Sequence, residues 1–371
     1  MLYKIAITFF PNIGSVITRR LLKHFKTLDD VFKASKNDLI ALTGIGEKLA
    51  MDIISNKTKA IARAEKELEF IQKNGIKVLF IHDNQYPLNL KECPDAPIVL
   101  YCKGSCNYSD YKKLGMVGSR NATNYGKILC RSLLTSFKSK LVTISGLAAG
   151  IDTIVHTESL INNIPTIAVL GHGLDSIYPK FNSKLSSEIV NNGALVTEFP
   201  SGTLINRINF PKRNRIIAGL SDALIVIEAA ERSGALITAN LANEYNREVF
   251  ACPGRVDDPL SAGCNKLIFN NKAHIATSGA NINYIMGWQE DNLVDNKLVT
   301  TPPTHIIDNL TNTEKSIYIL ISENKKTNLN TITNSLKIDT SDILVSLLNM
   351  ELNNLIIQLP GDTYTLVNQD F

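Results

Sequence analysis

The chain has 371 residues, enough for two or three domains, and its 44% hydrophobic and 20% charged content is typical of a soluble globular protein. No apolar run approaches the roughly 20 residues of a membrane span. The apolar start lacks signal-peptide features, so we expect a cytoplasmic protein without membrane contact. The net charge is +4, but residues 301–371 carry −4, so the first 300 residues carry +8. The basic part is therefore the candidate for binding a polyanion.

Residues 1–75 are predicted to be helical, because apolar residues recur there at spacings of three and four. Two similar turns, Pro11–Gly14 and Thr43–Gly46, lie 32 residues apart and precede amphipathic helices at Ser15–Phe25 and Glu47–Asn56. A glycine turn that opens a helix exposes backbone N–H groups, which suits a phosphate. The pattern resembles the helix-hairpin-helix modules of DNA-binding proteins. A plain turn between antiparallel helices is the alternative.

Residues 76–285 alternate short β-rich runs with helical stretches. This alternation predicts a parallel, doubly wound α/β sheet. Ligands of such sheets bind at the carboxyl ends of the strands. The predicted strands are Val78–Ile81, Ile98–Tyr101, Leu114–Val117, Leu141–Ile144, Thr166–Leu170, Ala194–Val196, Ala223–Ile227 and Glu248–Ala251.

The last part of the chain has a different character. Residues 286–310 are polar and include Pro302 and Pro303, so we interpret them as a linker. Residues 311–371 show three helical patterns followed by a short hairpin, which is the outline of a winged helix. Because this segment carries a net charge of −4, we expect it to contact protein rather than DNA.

Glycines, hydroxyl groups and cations follow the predicted strands. Glycine lets the backbone approach a ligand closely, and fixed cations attract phosphate. The pattern predicts a phosphate-binding edge, with Glu198 and Glu228 holding its cationic loops in place. For the basic block at 210–215, a solvated helix start is the alternative. The candidate residues are Gly118, Ser119, Arg120, Ser145, Gly146, Lys180, Lys212, Arg213, Arg215, Ser233, Gly234 and Thr238.

Other chemistries are disfavoured. Gly171-His-Gly173 stops short of a dinucleotide-binding motif, and the chain contains no P-loop sequence. Asp152 and His156 share a helix face, but without a third metal ligand they are predicted to be a structural cap and a packed histidine. Cys102 and Cys106 have no second pair to complete a zinc site, so we expect the six cysteines to be reduced thiols. We expect no metal, cofactor or catalytic residue.

Seven motifs, in order across residues 115–268, resemble the DNA-processing protein A (DprA/Smf) family. The helical front and the winged tail also look like its longer members. The motifs are Gly118-Ser-Arg120, Ser145-Gly-x-Ala-x-Gly-Ile-Asp152, Tyr178-Pro179, Glu198-x-Pro200-x-Gly202, Phe210-x-x-Arg-Asn-Arg-Ile216, Ser233-Gly-x-x-x-Thr238-Ala and Pro253-Gly254…Gly263-x-Asn265-x-Leu-Ile268.

This resemblance implies an extended Rossmann-like domain that also forms a homodimer. It implies binding of single-stranded DNA and its transfer to a RecA-type recombinase, chiefly in natural transformation, without catalysis. Arg120 and Lys180 match the family's DNA contacts, and the Lys212–Arg215 segment matches its basic wall less directly. Phe181 is a candidate for stacking on a base, although Ser183 is an alternative for that position.

The sequence departs from the family pattern at one place and allows one alternative function. Asn271–His274 stands where the family resemblance predicts Gly-Ala, which affects the turn there and the nearby expected dimer surface. The alternative function is that of a nucleotide phosphoribohydrolase of the lysine-decarboxylase-like group, whose sheet is similar. Its signature, Pro-Gly-Gly-x-Gly-Thr-x-x-Glu, is missing, and Ser233–Thr238 stands in its place.

Overall fold

A computed structural model of the protein describes most of the chain. It divides into two compact units, Met1–Asp291 and Asn292–Phe371, which we treat separately. No helix among the described residues is long and apolar enough to cross a membrane. Most of the predicted linker lies outside the described residues. These residues are 1–105, 107–137, 140–288, 310–324, 327–352, 355–359 and 362–366.

The N-terminal region is helical, as predicted. Two short helices begin at capping boxes in which a serine or threonine and an aspartate bond each other's backbone N–H groups. The helix predicted at Glu47–Asn56 is much longer, because good helix formers continue for 27 residues until Asn74 and Gly75. The helices are α1 Leu2–Ala6, α2 Ser15–His24, α3 Leu28–Lys33, α4 Lys36–Ile40 and α5 Glu47–Lys73.

These helices pack against the α/β region within the first unit. Lys4 Nζ lies 2.6 Å from Asp83 Oδ1, and Arg19 Nη2 donates to the carbonyl oxygen of Cys93 at 2.8 Å. Buried apolar residues form one continuous cluster that runs from Ile5 in the first helix to Leu267 near the end of the sheet region. The helical front and the sheet therefore share a hydrophobic core.

The central element is a nine-stranded sheet with the order β1-β2-β6-β5-β4-β3-β7-β8-β9. Neighbours from β6 to β9 are parallel, and all eight predicted strands are present. The strands are β1 Lys77–Phe80, β2 Val99–Gly104, β3 Lys112–Val117, β4 Leu141–Ser145, β5 Thr166–Val169, β6 Gly193–Thr197, β7 Ala223–Val226, β8 Glu248–Ala251 and β9 His274–Ile275.

The sheet differs from the sequence prediction at both edges. Strand β1 pairs antiparallel with β2, and β2 pairs antiparallel with β6, so the sheet is mixed rather than fully parallel. A short apolar run does not encode strand direction, because buried strands of either direction have the same pattern. Strand β9 was not predicted, since its two exposed residues give no periodicity.

Helices cover both faces of the sheet. Side chains alternate along the strands, so that Leu114 and Met116 join the cluster with the helices at 124–136 and 151–161, whereas Val117 faces the cluster with the helices at 209–220 and 234–244. Both faces are apolar, as expected for a buried parallel sheet. The remaining helices of this unit are α6 Leu88–Glu92, α7 Asn124–Ser136, α8 Ile151–Ile161, α9 Ser183–Asn192, α10 Asn209–Leu220, α11 Gly234–Glu244, α12 Ala262–Phe269 and α13 Gly279–Met286.

The state of Cys102 and the position of Trp288 differ from the sequence predictions. Cys102 is disulfide-bonded, so the expectation of reduced thiols is wrong for that residue, and Cys106 lies outside the described residues. Trp288, which falls at the start of the predicted linker, is buried in the core of the first unit. Four other cysteines are free and buried, as expected: Cys93, Cys130, Cys252 and Cys264.

The described residues of the second unit form three helices and a small antiparallel sheet in the order β10-β12-β11. The predicted hairpin is present, with Ile356 opposite Leu366 and Leu359 opposite Thr363. The assignment of a winged helix stays a prediction. The elements are α14 Asn312–Asn324, β10 Thr327–Asn328, α15 Leu329–Leu336, α16 Thr340–Leu352, β11 Ile356–Leu359 and β12 Thr363–Leu366.

Candidate nucleic-acid interface

The order in which successive strands are added to the sheet reverses between β3 and β7. From β3 the chain continues through β4, β5 and β6 on one side, and β7, β8 and β9 extend the other side. Loops that leave β3 and β7 at their carboxyl ends therefore diverge and leave a crevice. A cleft of about 570 Å³ lies there. It brings together seven of the predicted site residues: Gly118, Ser119, Arg120, Arg213, Ser233, Gly234 and Thr238.

The loop after β3 packs tightly against the start of α8. A Cβ atom on Gly118 would lie 2.6 Å from Ile151 Cγ1, so only glycine fits. The backbone N–H of Ile151 donates to the carbonyl oxygen of Ser119 at 3.0 Å. Ser119 Oγ accepts from the N–H of Asn121 at 3.1 Å. These contacts hold the backbone that carries Arg120 at the mouth of the cleft.

The amino end of α11 forms another wall. Ser233 caps the helix, because its Oγ accepts from the N–H of Ala235 at 3.1 Å. Gly234 has open space where a Cβ would point, and Thr238 is buried with its hydroxyl donating to the carbonyl oxygen of Gly234. The helix dipole and free N–H groups favour an anion at this end.

Arg213 lies beneath the cleft rather than in its open part. It is only 4% exposed, and its Nη1 donates to the carbonyl oxygen of Val169 at 2.6 Å. Desolvation lowers the pKa of Arg213 to about 10, and the charge of Asp152 opposes that shift. A Cβ on Gly146 would overlap the Arg213 guanidinium, so Gly146 makes room for this buried cation.

Ser145 requires a correction, because the sequence suggested a hydroxyl that faces a ligand. Its side chain is fully buried, and Oγ donates to the carbonyl oxygen of Met116 at 2.7 Å. The hydroxyl therefore ties β4 to β3 inside the sheet. Strand alternation places every second side chain on the opposite face, and the loop motif alone did not show which face Ser145 occupies.

Arg215 is also used internally. Its guanidinium forms an ion pair with Glu198 and donates to the carbonyl oxygen of Asp95. This contact confirms the role predicted for Glu198. Glu228 also fits the prediction, because its carboxylate accepts from the N–H of Thr123 at 3.0 Å and from its hydroxyl. Thr123 ends the loop that carries Arg120, so Glu228 anchors that cationic loop at the start of α7.

Three predicted cations are exposed: Arg120, Lys180 and Lys212. None of them forms an ion pair with another described residue. The guanidinium carbon of Arg120 lies 5.4 Å from the ring centroid of Phe210, within cation–π range. The Phe210 ring lies 5.9 Å from that of Tyr178. These two aromatic residues thus extend the surface that begins at Arg120.

Lys180 lies in an adjoining hollow of about 490 Å³, which shares Tyr178 with the main cleft. The next residue, Phe181, is 69% exposed and stands in a short 3₁₀ turn before α9. The hydroxyl of Ser183, the alternative for that position, donates to the carbonyl oxygen of Lys180 at 2.6 Å. Phe181 is consequently the side chain with a free face, as the stacking prediction requires.

Sequence reasoning missed Arg207, which is exposed and lines the main cleft. It also left Tyr178 and Phe210 out of the candidate residues, although both belong to the quoted motifs. The sequence signal for Arg207 was only its position as an isolated cation three residues before Phe210. Because the path of the β6–α10 loop is not encoded locally, the sequence did not distinguish Arg207 from a solvated surface charge.

His156 is a packed histidine, as predicted, whereas Asp152 does not cap α8, because the N-cap of that helix is Gly150 and no side chain bonds there as a cap. Asp152 Oδ2 accepts from the N–H of Ala148 at 3.3 Å. His156 is buried, with Nδ1 2.7 Å from Thr166 Oγ1, and desolvation lowers its pKa to about 3. Among the described residues, no group of three or more His, Cys, Asp or Glu side chains is placed to bind a metal ion.

Known proteins resemble this chain, one of them over nearly its full length. Protein Smf of a Synechocystis species is 34% identical, over 98% of this chain and 98% of that protein. The DNA processing protein DprA of Streptococcus pneumoniae is 43% identical over 54% of this chain and 71% of its own. The crystal structure of DprA from Streptococcus pneumoniae superposes with a TM-score of 0.65 at 34% identity, covering 76% of this chain and 97% of that one.

A second solved structure describes a single-stranded DNA binding mode of DNA processing protein A from Helicobacter pylori. It has a TM-score of 0.50 and 31% identity, and covers 57% of this chain and 96% of that chain. Residues 6–56 match a SAM-like helix-hairpin-helix tandem, which confirms that prediction over the plain-turn alternative. Residues 77–286 match the family described as DNA recombination-mediator protein A. The protein therefore belongs to the DNA recombination-mediator protein A (DprA/Smf) family.

Proposed function

We propose that the protein binds single-stranded DNA at the carboxyl edge of its main sheet and delivers the strand to a RecA-type recombinase in the cytoplasm, as in natural transformation. The observation that carries the proposal is the surface formed by Arg120, Phe210, Tyr178 and Lys180, where two exposed cations flank a pair of aromatic rings. Single strands are bound by positive grooves that follow the backbone and by aromatic faces that stack on bases.

In this proposal the exposed cations meet phosphates, with Arg120 and Lys180 as the main contacts and Lys212 beside them. Gly118, Ser119, Ser233 and Gly234 line the cleft, and in this proposal their backbone N–H groups support the same phosphates. Phe181 stacks on a base. Since every base has a π face and every nucleotide a phosphate, the protein would bind strands of any sequence.

The remaining candidates support the site from within. Ser145 and Gly146 lie in the β4 region beneath the cleft, and Arg213 and Arg215 hold α10 through internal bonds. Thr238 is buried in the first turns of α11. We assign these five residues to positioning the cleft walls rather than to direct contact with DNA.

The proposed role is non-catalytic. Asp152 lines the cleft, but it is buried beside Arg213 and accepts a backbone N–H, so it is not placed as a free acid or base. The alternative, a nucleotide phosphoribohydrolase, has no further support in the geometry. Release of ribose 5-phosphate from a nucleoside monophosphate by the purified protein would establish that alternative and contradict this part of the proposal.

We further propose four parts: a helix-hairpin-helix-like domain at 1–75, the Rossmann-like DNA-binding domain at 76–285, a linker at 286–310 and a winged-helix-like domain at 311–371. The Rossmann-like domain is the proposed homodimer surface. Helix α16 of the last part contains no lysine or arginine and exposes Leu344, Val345 and Leu348. A helix without cations is poorly suited to DNA, so this part is a candidate for contact with the recombinase.

Replacing both main cations tests the DNA site. Arg120→Ala with Lys180→Ala should weaken binding of mixed-sequence single strands about 100-fold at low salt, if each charged contact contributes about 1.5 kcal/mol. The slope of log affinity against log salt should flatten by about 1.4, since each lost phosphate contact removes about 0.7. Fluorescence anisotropy at several salt concentrations measures both.

The matched control is Lys73→Ala with Lys77→Ala, which removes the same charge from exposed residues outside the cleft. This variant should bind like the wild type. Equal losses in the two double variants would show that only overall charge matters. Unchanged binding by the Arg120 and Lys180 variant would move the DNA site elsewhere.

A further inference from the structure

The loop between β6 and α10 exposes an unusual number of large apolar side chains. Leu204 is 84% exposed, Ile205 45% and Ile208 64%, and Arg207 is exposed among them. We call residues 203–208 the ledge. Single exposed apolar residues are ordinary, but three in one short loop form an apolar patch of the kind that marks a ligand-binding or interaction site.

The ledge belongs to both hollows of the proposed DNA site. Arg207 lines the main cleft together with Arg120, and Ile205 lines the adjoining hollow together with Lys180. Tyr178 is common to the two. The ledge therefore continues the surface of cations and rings and is not a separate patch.

Hydrogen bonds order the ledge in this position. Asn206 Oδ1 accepts from the N–H of Ile208 at 3.1 Å, and Asn209 Nδ2 donates to the carbonyl oxygen of Leu204 at 3.4 Å. Thr203 Oγ1 donates to the carbonyl oxygen of Pro200 at 2.6 Å. The turn thus holds its apolar side chains toward solvent. Because the loop is already ordered, binding of a ligand costs little conformational entropy.

The long helix α5 holds the base of the ledge. Glu67 is buried and accepts from the N–H of Ser201 at 2.9 Å and from its Oγ at 2.6 Å. Arg63 pairs with Glu67 at 3.0 Å and donates to the carbonyl oxygen of Ser201. Its guanidinium also lies 5.0 Å from the ring centroid of Phe9. We call Arg63, Glu67 and Ser201 the clamp.

We propose that the ledge is a second contact surface for single-stranded nucleic acid, and that the clamp positions it from the helical front of the chain. Arg207 binds a backbone phosphate, and Leu204, Ile205 and Ile208 pack against base faces. The inference rests on the proposed function and adds to it an apolar segment that none of the seven motifs contains.

The chemistry of the surroundings identifies the occupant. Arg120 and Lys180 lie in the hollows that the ledge shares, with Asp175 as the one exposed carboxylate among the described lining residues, so together with Arg207 the local charge favours an anionic ligand. It must also present apolar faces to three aliphatic side chains. A single strand offers both, whereas duplex DNA keeps its base faces stacked inside.

Two substitutions separate the phosphate and base contacts. Arg207→Ala should weaken single-strand binding about tenfold and flatten the salt slope by about 0.7. Leu204→Ser with Ile208→Ser should weaken binding by a similar factor while leaving the salt slope unchanged, because no charge is removed. Matched controls are Arg232→Ala, an exposed arginine outside both hollows, and Val256→Ser, an apolar residue that is almost fully exposed.

The clamp is tested through a residue that touches no DNA in this proposal. Ser201→Ala removes the hydroxyl bond to Glu67 but keeps the backbone bonds, so the protein should fold normally. Single-strand affinity should fall about threefold with an unchanged salt slope, as expected for a positioning residue. Lys66→Ala, an exposed neighbour on α5, should bind like the wild type.

The outcomes distinguish this inference from the proposed function. If the wild-type chain does not bind single strands, the proposed function itself fails. If the wild type binds and the two ledge variants bind as tightly as their controls, the ledge proposal alone is overturned. Unchanged DNA affinity together with lost self-association, measured by sedimentation, would overturn it in favour of a second copy of the chain on the apolar side chains.

Discussion

At the scale of single residues, burial separates cations that the sequence presents as equals. Arg213 bonds a backbone carbonyl beneath the cleft, and Arg215 pairs with Glu198, whereas Arg120 and Lys180 remain exposed. A guanidinium whose N–H groups are already bonded inside the protein has few left for a phosphate. The positive charge available to a ligand is therefore smaller than the count of lysines and arginines.

His156 should make the fold sensitive to acid. Its pKa is lowered to about 3 in the folded protein, against an ordinary value of about 6.5. Between these values the unfolded chain binds a proton that the folded chain does not. The free energy of unfolding should therefore fall as the pH drops through this window, by up to about 1.4 kcal/mol per pH unit from this residue.

Urea unfolding of the wild type and of His156→Gln between pH 4 and 7 measures this contribution. The free energy of unfolding of the variant should depend less steeply on pH than that of the wild type, whatever the variant's stability at pH 7. His82→Gln is the control, because His82 is exposed and its replacement should leave the wild-type slope intact. Parallel curves for the wild type and His156→Gln would show that His156 is protonated equally in both states.

At the scale of elements, the helical periodicity of α10 separates the cations of the basic segment 210–215 into buried and exposed positions. Its buried positions Arg213, Ile216, Ile217 and Leu220 follow the spacing i, i+3, i+4, i+7. Arg213 thus lies on the same stripe as the apolar residues, a signal that was present in the sequence. Lys212 is one position away and faces solvent.

Because Arg215 is paired internally and Lys212 is exposed, we expect replacement of Arg215 to affect stability and replacement of Lys212 to affect DNA binding. Arg215→Ala leaves the mostly buried Glu198 without its partner and should lower the free energy of unfolding by about 3 kcal/mol. Lys212→Ala should change stability by less than about 0.5 kcal/mol but flatten the salt slope of DNA binding by about 0.7. Urea unfolding and salt-dependent anisotropy test the pair, and the reverse pattern would contradict our assignment.

At the scale of the whole molecule, the helical front and the α/β region share one hydrophobic core, and the acidic C-terminal unit is separate. The clamp is one consequence, since it joins α5 to the loop after β6. The helix-hairpin-helix region, which the sequence presents as an independent module, contributes to the geometry of the proposed DNA site.

A chain that ends at residue 291 tests the role of the C-terminal unit. It keeps the cleft and the ledge, so its affinity for single strands should stay within about twofold of the full chain. Loading of a RecA-type recombinase onto coated strands should be lost, because the proposed docking helix α16 is gone. Filament formation and anisotropy measure the two properties. A truncated chain that still loads the recombinase but loses DNA affinity would contradict the proposal.

The sequence by itself determined the eight main strands and the helical front and led to the carboxyl edge as the proposed site, because apolar periodicity and glycine turns are local signals. Only the tertiary structure decided the antiparallel edge strands, the burial of Ser145, and the place of Arg207 at the cleft. These features depend on contacts between segments far apart in the chain. Ser201 and Glu67, for example, are 134 residues apart.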